Sequence, residues 1–134
     1  MGIDYGDKRI GVAFTDLLGL TCSAYDVIKN DSLDKSLSLL ANLAKEMSVD
    51  EIIIGLPLNM QGEENERTFV TRQFAEKLQK LTNLPVRFQD ERLSSYEAEE
   101  ILKKSKVKWE DRKKVIDKIS AQIILQSYLN SKKE

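Results

Sequence analysis

The chain has 134 residues, 41% of them apolar and 32% charged, and a formal net charge of −1. The length suits one domain, 1–134, and its longest apolar runs, such as Ile52-Ile53-Ile54, fall far short of the roughly 20 residues of a membrane-spanning helix. With no histidine and one cysteine, Cys22, histidine-based nucleophile activation, His-ligated zinc, an intramolecular disulfide and multi-thiolate metal sites are excluded.

The first residues, Met1-Gly2-Ile3-Asp4-Tyr5-Gly6, lack the basic start and apolar core of a signal peptide, so a cytoplasmic protein is expected. Gly2 to Tyr5 reads as a short strand ended by a turn at Gly6-Asp7. Arg9 to Phe14 returns antiparallel, and Leu20 to Ile28, with Cys22 as a small core residue, completes a three-strand meander. The period then changes. Leu33, Leu37, Leu40, Ala44 and Met47 recur at helical spacing, which predicts an amphipathic helix over 32–48 with Ser32 as N-cap. Glu51 to Ile54 is a β-branched run ended by Gly55-Leu56-Pro57, the pattern of a strand buried on both faces. A polar loop over 58–65 leads to a helix over about 66–82, with Phe69, Phe74, Leu78 and Leu81 as its apolar marks. Val86 to Phe88 is a short strand. Ser94 and Glu97 form a capping box for a helix over about 95–104, and a last helix runs over about 111–130.

The order β-β-β-α-β-α-β-α-α implies an α/β fold: a mixed sheet with helices on its faces. Sites in such sheets collect at the carboxyl ends of strands, which directs attention to Asp4, the Gly55 loop and Asp90-Glu91. An aspartate inside a central strand needs a partner. For Asp4 this is either the Gly6-Asp7-Lys8 turn or a bound cation. Asp90-Glu91 either favours a following helix start, with Arg92 neutralising it, or serves chemistry. Asp117 shares a helical stripe with Ala121, Ile124 and Tyr128. There it requires either a basic partner from another element or a metal. Carboxylates at two strand ends and on a helix suit Mg²⁺ or Mn²⁺, and two such ions can drive phosphodiester hydrolysis without histidine.

The residues so assembled carry a family resemblance. Gly2-Ile3-Asp4-Tyr5-Gly6-Asp7-Lys8-Arg9-Ile10-Gly11-Val12-Ala13 resembles the opening motif of the YqgF/RuvX proteins, Holliday-junction-resolvase-like nucleases of the RNase H superfamily. Gly55-Leu56-Pro57-Leu58-Asn59 is similar to their second motif, and Asp90-Glu91-Arg92-Leu93-Ser94-Ser95 with Ala98 to their third. Asp117-Lys118 with Ser120-Ala121 and Ile124 to Leu129 is similar to their last-helix motif. Family members usually carry several apolar residues before the first motif, so the expectation here is either an abbreviated first strand or a misassigned start codon. The resemblance implies an RNase H-like five-stranded sheet of order 3-2-1-4-5. It also implies catalytic acids at Asp4, Asp90, Glu91 and Asp117, with Asp4, Glu91 and Asp117 as ligands of Mg²⁺ or Mn²⁺. The implied role is nucleic-acid processing: 5′-end maturation of pre-16S rRNA, or resolution of DNA junctions.

Substrate contacts are expected from Lys8 and Arg9 beside Asp4, from Asn59 and Arg92, and from Lys103, Lys104, Lys106 and Lys108. These four lysines open a segment, 103–118, with eight basic against three acidic residues. Such a concentration of charge can hold a phosphate backbone, or can be a solvated surface. Trp109 within it either stacks on an unpaired base or anchors the segment to the core. The leading expectation is a nuclease that acts as a monomer or a homodimer, away from any membrane, with ribosome association as a corollary. A non-catalytic RNA- or ribosome-binding module is the alternative of another class.

Overall fold

The computed structural model describes residues 1–92, 100, 103–104 and 109–132, and of residues 109–115 and 117 the backbone only. Five strands and three helices are laid out in chain order: β1 (Gly2–Tyr5), β2 (Arg9–Thr15), β3 (Cys22–Lys29), α1 (Leu33–Glu46), β4 (Ile52–Leu56), α2 (Glu66–Thr82), β5 (Val86–Asp90) and α3 (Trp109–Lys132). The sheet order is β3-β2-β1-β4-β5. β1, β2 and β3 pair antiparallel, whereas β4 runs parallel to both β1 and β5. The expected sheet is therefore the one observed. The helix expected over 95–104 falls largely outside the described residues, although Glu100, Lys103 and Lys104 are helical.

Side-chain alternation splits the core in two. Ile3, Ile10, Val12, Ile52 and Ile54 face α1 and α2, where they pack with Leu37, Leu40, Phe74 and Leu78. Ala13 and Ile53 face the other way and pack with Ala121, Ile124 and Leu125 of α3. All three isoleucines of β4 are essentially inaccessible, as the unbroken β-branched run predicts. Each contributes roughly 1.5–3 kcal/mol of burial free energy. Gly2 allows α3 to lie close on β1, since a Cβ there would stand 2.8 Å from Leu125 Cβ.

Several local expectations change. Phe69 and Leu81 are exposed, as is Met47 at the end of α1. The buried stripe of α2 is Thr68, Thr71, Phe74, Ala75 and Leu78, and Phe69 is five residues from Phe74, about 140° around the helix. Cys22 is half-buried, its Sγ 3.4 Å from the Gln122 carbonyl of α3. Ser32 caps α1 through its backbone, without a side-chain cap bond. The better-built cap is on α2: Asn65 and Thr68 form a reciprocal capping box.

Candidate active site

The parallel run of β1, β4 and β5 brings their carboxyl ends to one edge of the sheet. Leu56 pairs with Asp90 there, and Ile54 pairs with Ile3, one residue before Asp4. Alternation along β1 turns Ile3 and Tyr5 toward α2, where the Tyr5 ring stacks on Phe74 at 4.1 Å between centroids. Asp4 is therefore directed to the opposite face, the one covered by α3.

Glu91 arrives at the same place from β5. Its backbone N–H donates to Leu56 O at 3.3 Å, extending the ladder one residue beyond the strand. Its carboxylate turns over the backbone of Gly55. A Cβ on Gly55 would sit 2.6 Å from Glu91 Oε2 and 2.5 Å from Ile124 Cδ1, so only glycine leaves room here. Glu91 and Asp4 are hydrogen-bonded to each other. Burial and the neighbouring Asp4 charge, together with that hydrogen bond, push the Glu91 carboxyl from 4.5 up to about 8; Arg67 opposes the shift and Asp90 adds to it. At neutral pH the two acids hold a proton between them.

Asp90 and Glu91, adjacent in sequence, have different tasks. The Asp90 carboxylate is taken up by Arg92: Oδ1 accepts from the Arg92 backbone N–H at 2.9 Å, and Oδ2 lies 2.8 Å from Nε and 2.7 Å from Nη2. Arg92 Nη1 reaches on to the Met60 carbonyl at 3.4 Å and lies against Gly62, whose φ is +81°. The Asp90–Arg92 pair thus staples the loop after β4 to the end of β5 and flanks Glu91 on both sides in sequence. Asn59 builds that loop, its Oδ1 accepting from the backbone N–H groups of Gln61 at 3.0 Å and Glu63 at 2.9 Å. The Thr68 hydroxyl donates to the Pro57 carbonyl, fixing the start of α2 to the same loop.

Arg67, on the first turn of α2, has no counterpart among the residues expected from sequence. It makes a 3.6 Å ion pair with Asp7 and acts electrostatically on Glu91. A cleft of about 300 Å³ lies beside it, lined by Tyr5, Asp7, Glu66, Arg67, Val70 and Thr71. No motif marks Arg67. The capping box that positions it, Asn65 followed three residues on by Thr68, was the available signal.

Lys8 is exposed on the β1–β2 turn and Arg9 is half-buried at the start of β2. The turn is held by Asn30, which bonds Gly6 O at 2.9 Å through Nδ2 and Lys8 O at 2.9 Å through its N–H. Lys103 and Lys104 are exposed, with Lys103 paired to Glu100 at 3.5 Å. Lys106 and Lys108 lie outside the described residues. Trp109 and Asp117 fall within α3, which is longer than the expected 111–130. Asp117 is one turn before Ala121, on the helix that covers the Asp4 face; its side chain is outside the described residues.

The pair suits a hard cation. Two half-buried carboxylates that share a proton lack positive charge, and their oxygens are the ligand type preferred by Mg²⁺ and Mn²⁺. Among the described residues no group of three or more His, Cys, Asp or Glu side chains comes together. A third protein ligand would have to come from elsewhere, and Asp117 is the candidate from sequence.

Known proteins resemble the chain at two levels. The sequence profile of the RuvX family, described as Holliday junction resolvase, matches residues 1–131. A protein of Halothermothrix orenii named "Putative pre-16S rRNA nuclease" is 47% identical over 130 residues, which are 97% of this chain and 93% of that one. One of the same name from Syntrophomonas wolfei is 45% identical, over 97% and 92%. Among solved structures, Thermus thermophilus RuvC in complex with a Holliday junction superposes with a TM-score of 0.59 at 11% identity, covering 97% of this chain and 93% of that one. The fowlpox virus Holliday junction resolvase gives 0.56 at 16% identity, covering 97% of each. At such identities these structures establish the fold, which is RNase H-like, as expected.

Proposed function

The chain belongs to the RuvX family, and on that premise we propose that it is a metal-dependent endonuclease that hydrolyses phosphodiester bonds in structured nucleic acid, with the 5′ end of pre-16S rRNA as its substrate. The observation that carries the chemistry is the half-buried, hydrogen-bonded Asp4–Glu91 pair at the carboxyl edge of the sheet. The relatives named for pre-16S rRNA, matched along nearly their whole length, favour RNA over a DNA junction. Residues 1–134 act as one catalytic domain in this proposal, as a monomer or a homodimer. The setting is the cytoplasm, where ribosomes assemble; among the described residues no helix is long and apolar enough to cross a membrane.

Asp4 and Glu91, with Asp117, would hold Mg²⁺ or Mn²⁺. The bound ion supplies charge to stabilise the leaving oxygen and lowers the pKa of an attacking water. The protein's own residues prepare that site. Partial burial makes the Asp4–Glu91 pair costly to ionise alone, so a cation held there would supply the charge that the shared proton now supplies. Gly55 lets the Glu91 carboxylate lie flat on β4. The Asp90–Arg92 staple fixes the backbone on either side of Glu91. Arg67 offsets part of the negative charge that would repel a phosphate. Lys8, Arg9 and the basic segment would hold the strand backbone by charge.

The test compares a pre-16S leader RNA with a four-way DNA junction, each with Mn²⁺ and with EDTA. Cleavage of the RNA in Mn²⁺, lost in Asp4→Asn, Glu91→Gln and Asp117→Asn, is expected. Preference for the junction would transfer the reading to a resolvase. Cleavage persisting in EDTA or in Asp4→Asn would refute the metal-dependent mechanism.

A further inference from the structure

We infer that the cleft between the end of β1 and the first turns of α2 is a base-reading subsite that accepts an unpaired guanine of the substrate strand. The inference rests on the nuclease reading, because it places that base at the sheet edge that carries the carboxylates, on the α2 side of β1.

The cleft of about 300 Å³ is at the lower end of the range for small-ligand sites, roughly 300–1,000 Å³. Tyr5 and Val70 give it apolar walls, and Val70 is 38% exposed. The Tyr5 ring is held rigidly by its stack on Phe74. Its charged groups are the Arg67 guanidinium and the Asp7 and Glu66 carboxylates, with Thr71 also in the lining. One cation against two anions is a poor match for a phosphate, which would meet net negative charge. It is a good match for a base with both donors and acceptors.

Guanine fits this set best. Its O6 and N7 form adjacent acceptors for a guanidinium fork, and its N1–H and N2–H₂ form adjacent donors for one carboxylate. The other bases offer one of these paired edges at most. The Arg67–Asp7 pair stands open to solvent at 3.6 Å, with side chains 58% and 80% exposed. An ion pair of that length and exposure costs little to open, so both groups can turn to a base. Sequence-specific RNA recognition commonly targets unpaired bases in this way, reading their edges with an apolar or aromatic wall beside them.

Binding is measured in EDTA, so that no strand is cut, with single-stranded RNA hexamers: all-uridine, and the same with one internal guanosine, inosine or adenosine. The guanosine hexamer should bind about tenfold tighter than all-uridine. Inosine, lacking the 2-amino group, should recover only part of that gain, and adenosine little. Arg67→Gln and Asp7→Asn, both at exposed positions, should each reduce the guanosine preference to less than about twofold. Absence of a guanosine preference in the wild type, or its survival in either variant, overturns the subsite. The nuclease reading is judged separately by Mn²⁺-dependent cleavage of the leader RNA. Cleavage without guanosine preference refutes the subsite alone.

Discussion

Replacing Glu91 by Gln should make the metal-free protein more stable at alkaline pH while abolishing cleavage. The Glu91 carboxyl is raised from 4.5 to about 8 by burial and by Asp4. Between these values the folded state keeps a proton that the unfolded chain releases. Stability therefore falls as pH rises through that window; the contribution of the protonated form is complete below about pH 4.5 and gone above about pH 8. At about 1.4 kcal/mol per pH unit the full span is at most about 5 kcal/mol. Glutamine is nearly isosteric, never ionises, and keeps a donor for Asp4. Urea denaturation in EDTA at pH 5, 7 and 9 should show the wild type losing stability across the series and Glu91→Gln holding nearly level. Added Mn²⁺ should reverse the wild-type loss, by about 2.7 kcal/mol at a hundred times its dissociation constant, and leave the variant unaffected. Parallel pH curves for the two proteins would refute the buried, proton-sharing pair.

Gly55→Ala should destabilise by about 1–3 kcal/mol, as overpacking commonly does, and also depress cleavage, because the new methyl group meets both Ile124 and Glu91; a neutral melt with full activity would show that the site is looser than the geometry implies. Arg92→Gln and Asp90→Asn should each lower kcat more than they raise KM, because the staple orients Glu91; a pure KM effect would make Arg92 a substrate ligand instead. Changing Lys103, Lys104, Lys106 and Lys108 to Gln should flatten the salt dependence of RNA affinity by about 0.7–0.9 in log–log slope for each phosphate no longer neutralised, and an unchanged slope would return the segment to solvent.

The architecture was legible because each strand and helix announces itself by period. The apolar run of β4 implies a strand covered on both faces, and in the fold Ile52 and Ile54 lie against α1 and α2 with Ile53 against α3. Asp4 was legible as an unusual acid in a strand, and Asp90-Glu91 only as an undivided pair after one. The Asp4–Glu91 hydrogen bond was not, since it depends on β1 and β5 being held one strand apart by β4, with a glycine beneath the carboxylate.

Sequence by itself determined the order of the described elements, a mixed sheet and the absence of histidine chemistry, because local periodicity and composition are properties of contiguous residues; the strand order came from the family resemblance. Only the tertiary structure separated Asp90, bound to Arg92, from Glu91, bound to Asp4. Only it brought Arg67 to the site, through a cap on Asn65 and the Thr68 hydroxyl bond to Pro57. Which of two neighbouring acids is buried, and which cation faces it, depends on packing between segments distant in the chain, where burial and a nearby charge set the energy of each ionised group.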